Sequence, residues 1–220
     1  MVDFFDEVED DLRAERAAKL LKRYAWLIVA AAVAIVAAAT GWQLWNRWQR
    51  RQDDTAAVRY VAVQSAIERP NAPKTDQVSA LDELATTAPE GYKTLARMRA
   101  ASLKADAGDF PGAAALWNAV AADTKADHLL RDLAILQAIQ RDLDHGDPAQ
   151  LEARLKSLAD AINPWTALAQ EQLAMLDLRQ GRLDDARQKL RMLSIDIGAP
   201  SGLRARASAL LAGLGSQDGQ

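Results

Sequence analysis

Residues 108–117 read GDFPGAAALW, residues 146–155 read GDPAQLEARL, and residues 181–190 read GRLDDARQKL. The leading glycines stand 38 and 35 residues apart, close to the roughly 34-residue period of a helix–turn–helix repeat. A glycine at each turn can take a left-handed conformation and stop the first helix of a pair. The residue two positions on (Phe110, Pro148, Leu183) then packs over the turn. The fifth (Ala113, Leu151, Ala186) sits where the second helix crosses the first, and a small side chain there permits a close crossing. The ninth (Trp117, Leu155, Leu190) faces back onto the first helix.

Before the first of these turns, Tyr92, Ala96, Ala100, Leu103 and Ala107 recur every three or four residues, which is one face of an α-helix. Proline and glycine punctuate this rhythm at Pro70, Pro73, Pro89, Gly91, Pro164 and Pro200, with Pro164 and Pro200 opening new helices. Residues 53–69 and 76–88 are expected to form one more divergent pair. Residues 201–214 are expected to be a closing helix that covers the apolar end of the stack, as open arrays require. The last residues, 215–220, are expected to be disordered. No run alternates as a strand does, and the apolar half of the composition is mostly alanine and leucine with only 5% aromatic residues. That alphabet favours helix over sheet, so the expected fold is all-α.

Composition also narrows the chemistry. The chain of 220 residues has no cysteine and two histidines, which removes thiolate nucleophiles, disulfides and most His-based metal sites. A net charge of −3 argues against nucleic acid as a partner. His145 lies in Asp144-His145-Gly146-Asp147, a turn in which Asp and Gly serve backbone geometry. His128 opens a helix, and Asp184 with Asp185 suits a helix start. No phosphate loop, catalytic triad or metalloprotease motif occurs. The reading is of a protein that is not an enzyme, with no cofactor, no metal and no small-molecule substrate.

Residues 24–46, YAWLIVAAAVAIVAAATGWQLWN, contain no ionisable side chain except the phenol of Tyr24. As a helix this stretch spans about 34 Å, enough to cross a hydrocarbon core of roughly 30 Å. Tyr24 and Trp26 at one end and Trp42, Trp45 and Trp48 at the other suit two membrane interfaces. A cleaved signal peptide, with sites such as Ala37–Ala39, fits less well. The preceding segment carries Asp3, Asp6, Glu7, Glu9, Asp10, Asp11 and Glu15, whereas a signal peptide begins short and basic. Five basic residues before the span (Arg13, Arg16, Lys19, Lys22, Arg23) against four after it (Arg47, Arg50, Arg51, Arg59) scarcely orient it. The long following domain does, because long domains translocate largely regardless of charge. The expected layout is a cytoplasmic tail over 1–23, a transmembrane helix over 24–46 that binds the lipid bilayer, and a translocated domain over 47–220. The acidic tail, with Phe4 and Phe5, reads as a solvated segment or a docking handle. Ala30, Ala34 and Ala38, like Ala37 and Gly41, offer small faces for helix packing.

The turn Gly108-Asp109-Phe110 with Ala113 and Trp117 resembles the tetratricopeptide repeat, and the likeness covers residues 91–198. The middle unit departs with Leu151, and the first helices depart with Arg97 and Gln170 where a tryptophan often sits. The whole order also resembles the YfgM-like family: an acidic DFFDEVEDDLRAERAAKLLKRY start, an Ala-rich anchor, the Gly41-Trp42-Gln43-Leu44-Trp45 exit, then divergent repeats. That resemblance implies an ancillary subunit of the SecYEG translocon in a bacterial inner membrane. Its partners would be translocon subunits and a PpiD-type periplasmic chaperone, to which exported proteins are passed. The alternative is an envelope scaffold for division or outer-membrane assembly, and a further one is a sensor regulated through its tail.

Repeat geometry places the partner-binding groove on the first helices. It maps to Leu95, Met98, Ser102 and Ala105; to Leu133, Leu136, Gln140 and Leu143; and to Leu168, Glu171, Met175 and Leu178. The face is mostly apolar, and its methionines suit varied apolar partners. The opposing expectation is that the closing helix or the first pair covers it.

Overall fold

The computed structural model describes residues 3–69, 74–160 and 163–216, with side chains from Trp26 onward except Ile28, Lys74 and Ser216. The side chains of the acidic tail and of Tyr24, the punctuating Pro70 and Pro73, and residues 217–220 lie outside the described residues. Among those described, every regular element is an α-helix: α1 (Asp3–Ile67), α2 (Lys74–Thr87), α3 (Glu90–Asp106), α4 (Phe110–Ala122), α5 (His128–Asp142), α6 (Pro148–Ala159), α7 (Thr166–Arg179), α8 (Leu183–Ile195) and α9 (Ser201–Ser216). The chain divides into two compact units, residues 1–54 and 55–220.

In the first unit, the apolar part of α1 is bare. The helical stretch Val29–Ile67 contains a window of mean hydropathy 1.3, none of it buried, so this is not the core helix of a globule. It is long and apolar enough to cross a membrane. Its one hydroxyl in the apolar run, that of Thr40, donates to the Val36 carbonyl at 2.7 Å, which satisfies it within the helix. Trp26, Trp42, Trp45 and Trp48 are all exposed.

The second unit is a stack in which each second helix packs between two first helices. Ala56, Tyr60, Val63 and Ile67 at the end of α1 lie against Leu81 and Leu84 of α2 and Ala96, Ala100 and Leu103 of α3. Trp117 of α4 sits among Ala101, Ala105, Ala113, Ala134 and Ala138, so five alanines make room for one indole. Leu155 of α6 joins Leu136, Ile139, Leu173 and Leu176. Leu190 of α8 joins Ala174, Leu193, Leu203 and Ala207. The ninth residue after each turn glycine is thus buried, and Ala113 and Ala186 are fully buried at their crossings. The closing helix α9 runs to Ser216, so Gly215 is helical rather than disordered.

Local chemistry explains the turns. Gly108 and Gly181 take φ of 85° and 74°. Asp109 N–H reaches the Lys104 carbonyl (2.8 Å) and Arg182 N–H the Asp177 carbonyl (2.9 Å), each closing a six-residue helix-ending loop. Gly146 differs, for it is not in the left-handed region. It is crowded instead: its N–H bonds the Asp142 carbonyl at 2.7 Å, and an added Cβ would stand 3.0 Å from that carbonyl oxygen and against the Asp142 carboxylate. Asp109, Asp127 and Asp147 cap the N-termini of α4, α5 and α6 through the N–H groups of Gly112, Leu129 and Ala149.

Five side-chain links join neighbouring repeats at a common spacing. Arg99 bonds Gln64, Arg154 bonds Asn118, Trp165 bonds the Leu129 carbonyl, Arg179 bonds the Leu143 carbonyl and Arg206 bonds Glu171. All five pairs are 35 or 36 residues apart. Arg179 also takes the Gly146 carbonyl at 2.8 Å, so one repeat finishes the helix end of the one before. A buried carboxylate, Asp177, gathers Arg182 and Lys189 (2.6 Å from Lys189 Nζ), and Arg182 reaches on to Glu152 at 3.0 Å. These contacts tie α6, α7 and α8 together, and nothing in the repeat pattern pointed to Asp177.

Candidate groove on the first helices

A cavity of about 730 Å³ opens along α5, α7 and α9. From α5 it is lined by Leu133, Leu136, Gln137 and Gln140; from α7 by Leu168, Glu171, Gln172 and Met175; from α9 by Arg206, Ala209 and Leu210. The α5 and α7 residues fall at i, i+3 and i+7, the spacing of one helix face. Four leucines, Met175 and Ala209 supply its apolar walls, with amide groups from three glutamines. The one charged feature is internal: Arg206 Nε and Nη2 donate to Glu171 Oε1 and Oε2, both at 2.8 Å. This bidentate contact neutralises a carboxylate that is nearly buried, and it holds the Arg206 guanidinium more firmly protonated.

The structure distributes the expected groove residues unevenly. Leu133, Leu136 and Gln140, with Leu168, Glu171 and Met175, border this one cavity. Leu136 also belongs to the core beneath it, and Leu143 packs against the same core. The α3 positions do not border the cavity. Met98 packs against the Trp117 cluster, Ser102 donates its hydroxyl to the Met98 carbonyl at 3.2 Å, Ala105 is buried, and Leu95 is half-buried. Leu178 is half-buried at the end of α7. Gln137, Gln172 and the α9 side chains were missed. The α9 spacing of Arg206, Ala209 and Leu210 is helical, but no turn glycine follows to set its register. The closing helix therefore covers the stack's end and also walls the groove.

A second cavity, of about 550 Å³, brings Phe110, Asn118, Arg141, Asp144, His145 and Arg154 to one side of α4, α5 and α6. Arg141 stands 6.0 Å over the Phe110 ring, and Arg154 donates to Asn118. His145 is exposed in the turn, with its backbone N–H on the Asp142 carbonyl. His128 is exposed as the first residue of α5. Asp184 pairs with Arg187 at 3.2 Å, on the first turn of α8. No group of three metal-ligating side chains is placed for an ion among the described residues.

The family model described as a tetratricopeptide repeat-like domain matches residues 19–137, more than half of the chain. The match takes in the apolar helix, the α1–α2 pair and the Gly108 turn, and it ends within α5. It overlaps the repeats expected over 91–198 only in part, and most of the groove lies beyond it. No curated protein and no solved structure matches the chain.

Proposed function

The chain belongs to the tetratricopeptide repeat-like family, and from that premise we propose that it is a membrane-anchored adaptor that holds other proteins in the groove of α5, α7 and α9. Repeat domains of this kind serve protein–protein interaction, and the groove supplies the place. The observation that carries the reading is its chemistry: an open apolar trough with adaptable methionine and glutamine side chains, whose only charges cancel. Such a surface suits an apolar or amphipathic segment better than a charged peptide tail.

Residues 24–46 are the membrane crossing, with 1–23 in the cytoplasm and 47–220 in the periplasm of a bacterium. The partners follow the YfgM-like resemblance: translocon subunits and a PpiD-type chaperone, with exported proteins passed between them. Two experiments test this. A photo-crosslinking residue at Gln140 in cells should capture translocon or chaperone components, whereas division or outer-membrane components would replace this reading with an envelope scaffold. Protease added to spheroplasts should remove 52–220 and spare an amino-terminal tag, and full protection of the domain would reverse the orientation.

A further inference from the structure

Depth along α1 can be counted from Ile35, the middle residue of the 24–46 span. At 1.5 Å per residue, Trp45 lies about 15 Å from the midplane, at the edge of the hydrocarbon. Arg47 lies at about 18 Å and Arg50 at about 22 Å, within the headgroup layer that extends to roughly 20–22 Å. Position around the helix is equally definite at about 100° per residue. Trp42, Trp45 and Trp48 cover one arc of about 120°, while Arg47 and Arg50 lie within about 60° of each other, about 170° round from the tryptophans. One side of the exit is aromatic and the other cationic.

Both arginines are exposed, and no Asp or Glu occurs between Glu15 and Asp53. Asp53 and Asp54 come only at about 27–28 Å, outside the headgroups. At the depth of Arg47 and Arg50, the lipids' own phosphates are the available anions. A guanidinium fork matches a phosphate with two parallel hydrogen bonds. A zwitterionic lipid answers that phosphate with its own ammonium; an anionic lipid leaves it for the protein.

We propose that Arg47 and Arg50 form a binding site for the headgroup of an anionic phospholipid, while the tryptophans on the other face hold the helix at that depth. The site rests on the membrane crossing proposed above, and the test separates the two. The full chain is reconstituted into bilayers of equal phosphatidylcholine and phosphatidylglycerol, and the lipids that leave with the protein are counted by mass spectrometry. The wild type should enrich phosphatidylglycerol, by roughly fivefold for each arginine engaged. Arg47→Gln with Arg50→Gln should lower that enrichment severalfold, and Arg47→Lys with Arg50→Lys should keep part of the preference. A wild type that carries lipids at the bulk ratio, or a double Gln variant as enriched as the wild type, overturns the lipid site alone. A wild type that does not float with vesicles overturns the crossing, and the lipid site with it.

Discussion

Arg206→Ala should loosen the closing helix without emptying any core. The side chain of Arg206 is 56% exposed and that of Glu171 only 9%, so the loss falls on the carboxylate left behind. Breaking a fully buried pair costs about 3–5 kcal/mol. Water reaches Glu171 once the exposed guanidinium is gone, which brings the expected loss to about 2 kcal/mol. For a unit the size of residues 55–220, each kcal/mol lowers Tm by about 2–4 °C, so a fall of about 6 °C is expected. Glu171→Gln keeps the shape and removes the charge, and should cost about 1–2 kcal/mol. The double variant should lose less than the two single losses together, with a coupling of about 1–2 kcal/mol. Thermal melts of the full chain in detergent, followed by circular dichroism at 222 nm, read all three. A melting point for Arg206→Ala within about 1 °C of wild type, or full additivity in the double variant, refutes the claim that this pair fastens α9 over the groove.

Replacing Ala113 or Ala186 with Phe should destabilise the second unit by about 1–3 kcal/mol, because both are fully buried at helix crossings; unchanged melting of both variants removes the assigned crossings. Met175→Glu should weaken partner capture with little change in Tm, whereas Met98→Glu, which places a charge against the Trp117 cluster, should lower Tm; equal melting points for the two count against the placement of the groove. Stability should be level from neutral pH to about 5 and fall below about 4. The Gly112 N–H and then Lys104 lower the Asp109 pKa, the Lys125 N–H lowers that of Asp123, and Lys156 and then Arg182 lower that of Glu152. Depressed folded values mean that their stabilisation is complete above the unfolded pKa and disappears as pH falls through the folded one. A melting point that rises on acidification contradicts that sign.

What could be read from the sequence alone had local causes. Helix, turn and apolar run depend on neighbours within one or two turns of chain, so the glycine spacing at 108, 146 and 181 and the charge-free run over 24–46 were legible. So was the burial of Trp117, Leu155 and Leu190, because a fixed offset from a turn fixes the face of the next helix. Gly146 shows the limit of such reading. It occupies a turn position as Gly108 and Gly181 do, yet it is not left-handed and its neighbour is Asp142, and spacing says nothing of that. The tertiary structure alone decided which expected groove residues share a cavity, because that depends on how far apart successive first helices stand. Met98 and Glu171 occupy like positions, ten residues before their turn glycines, but one packs against the Trp117 cluster and the other borders the open cavity. Asp177 and the Glu171–Arg206 contact lie further still from any local rule. A carboxylate is buried only where cations reach it: Asp177 draws Arg182 and Lys189 from the start and body of α8, and Glu171 draws Arg206 from α9, 35 residues on, so both depend on how the helices pack.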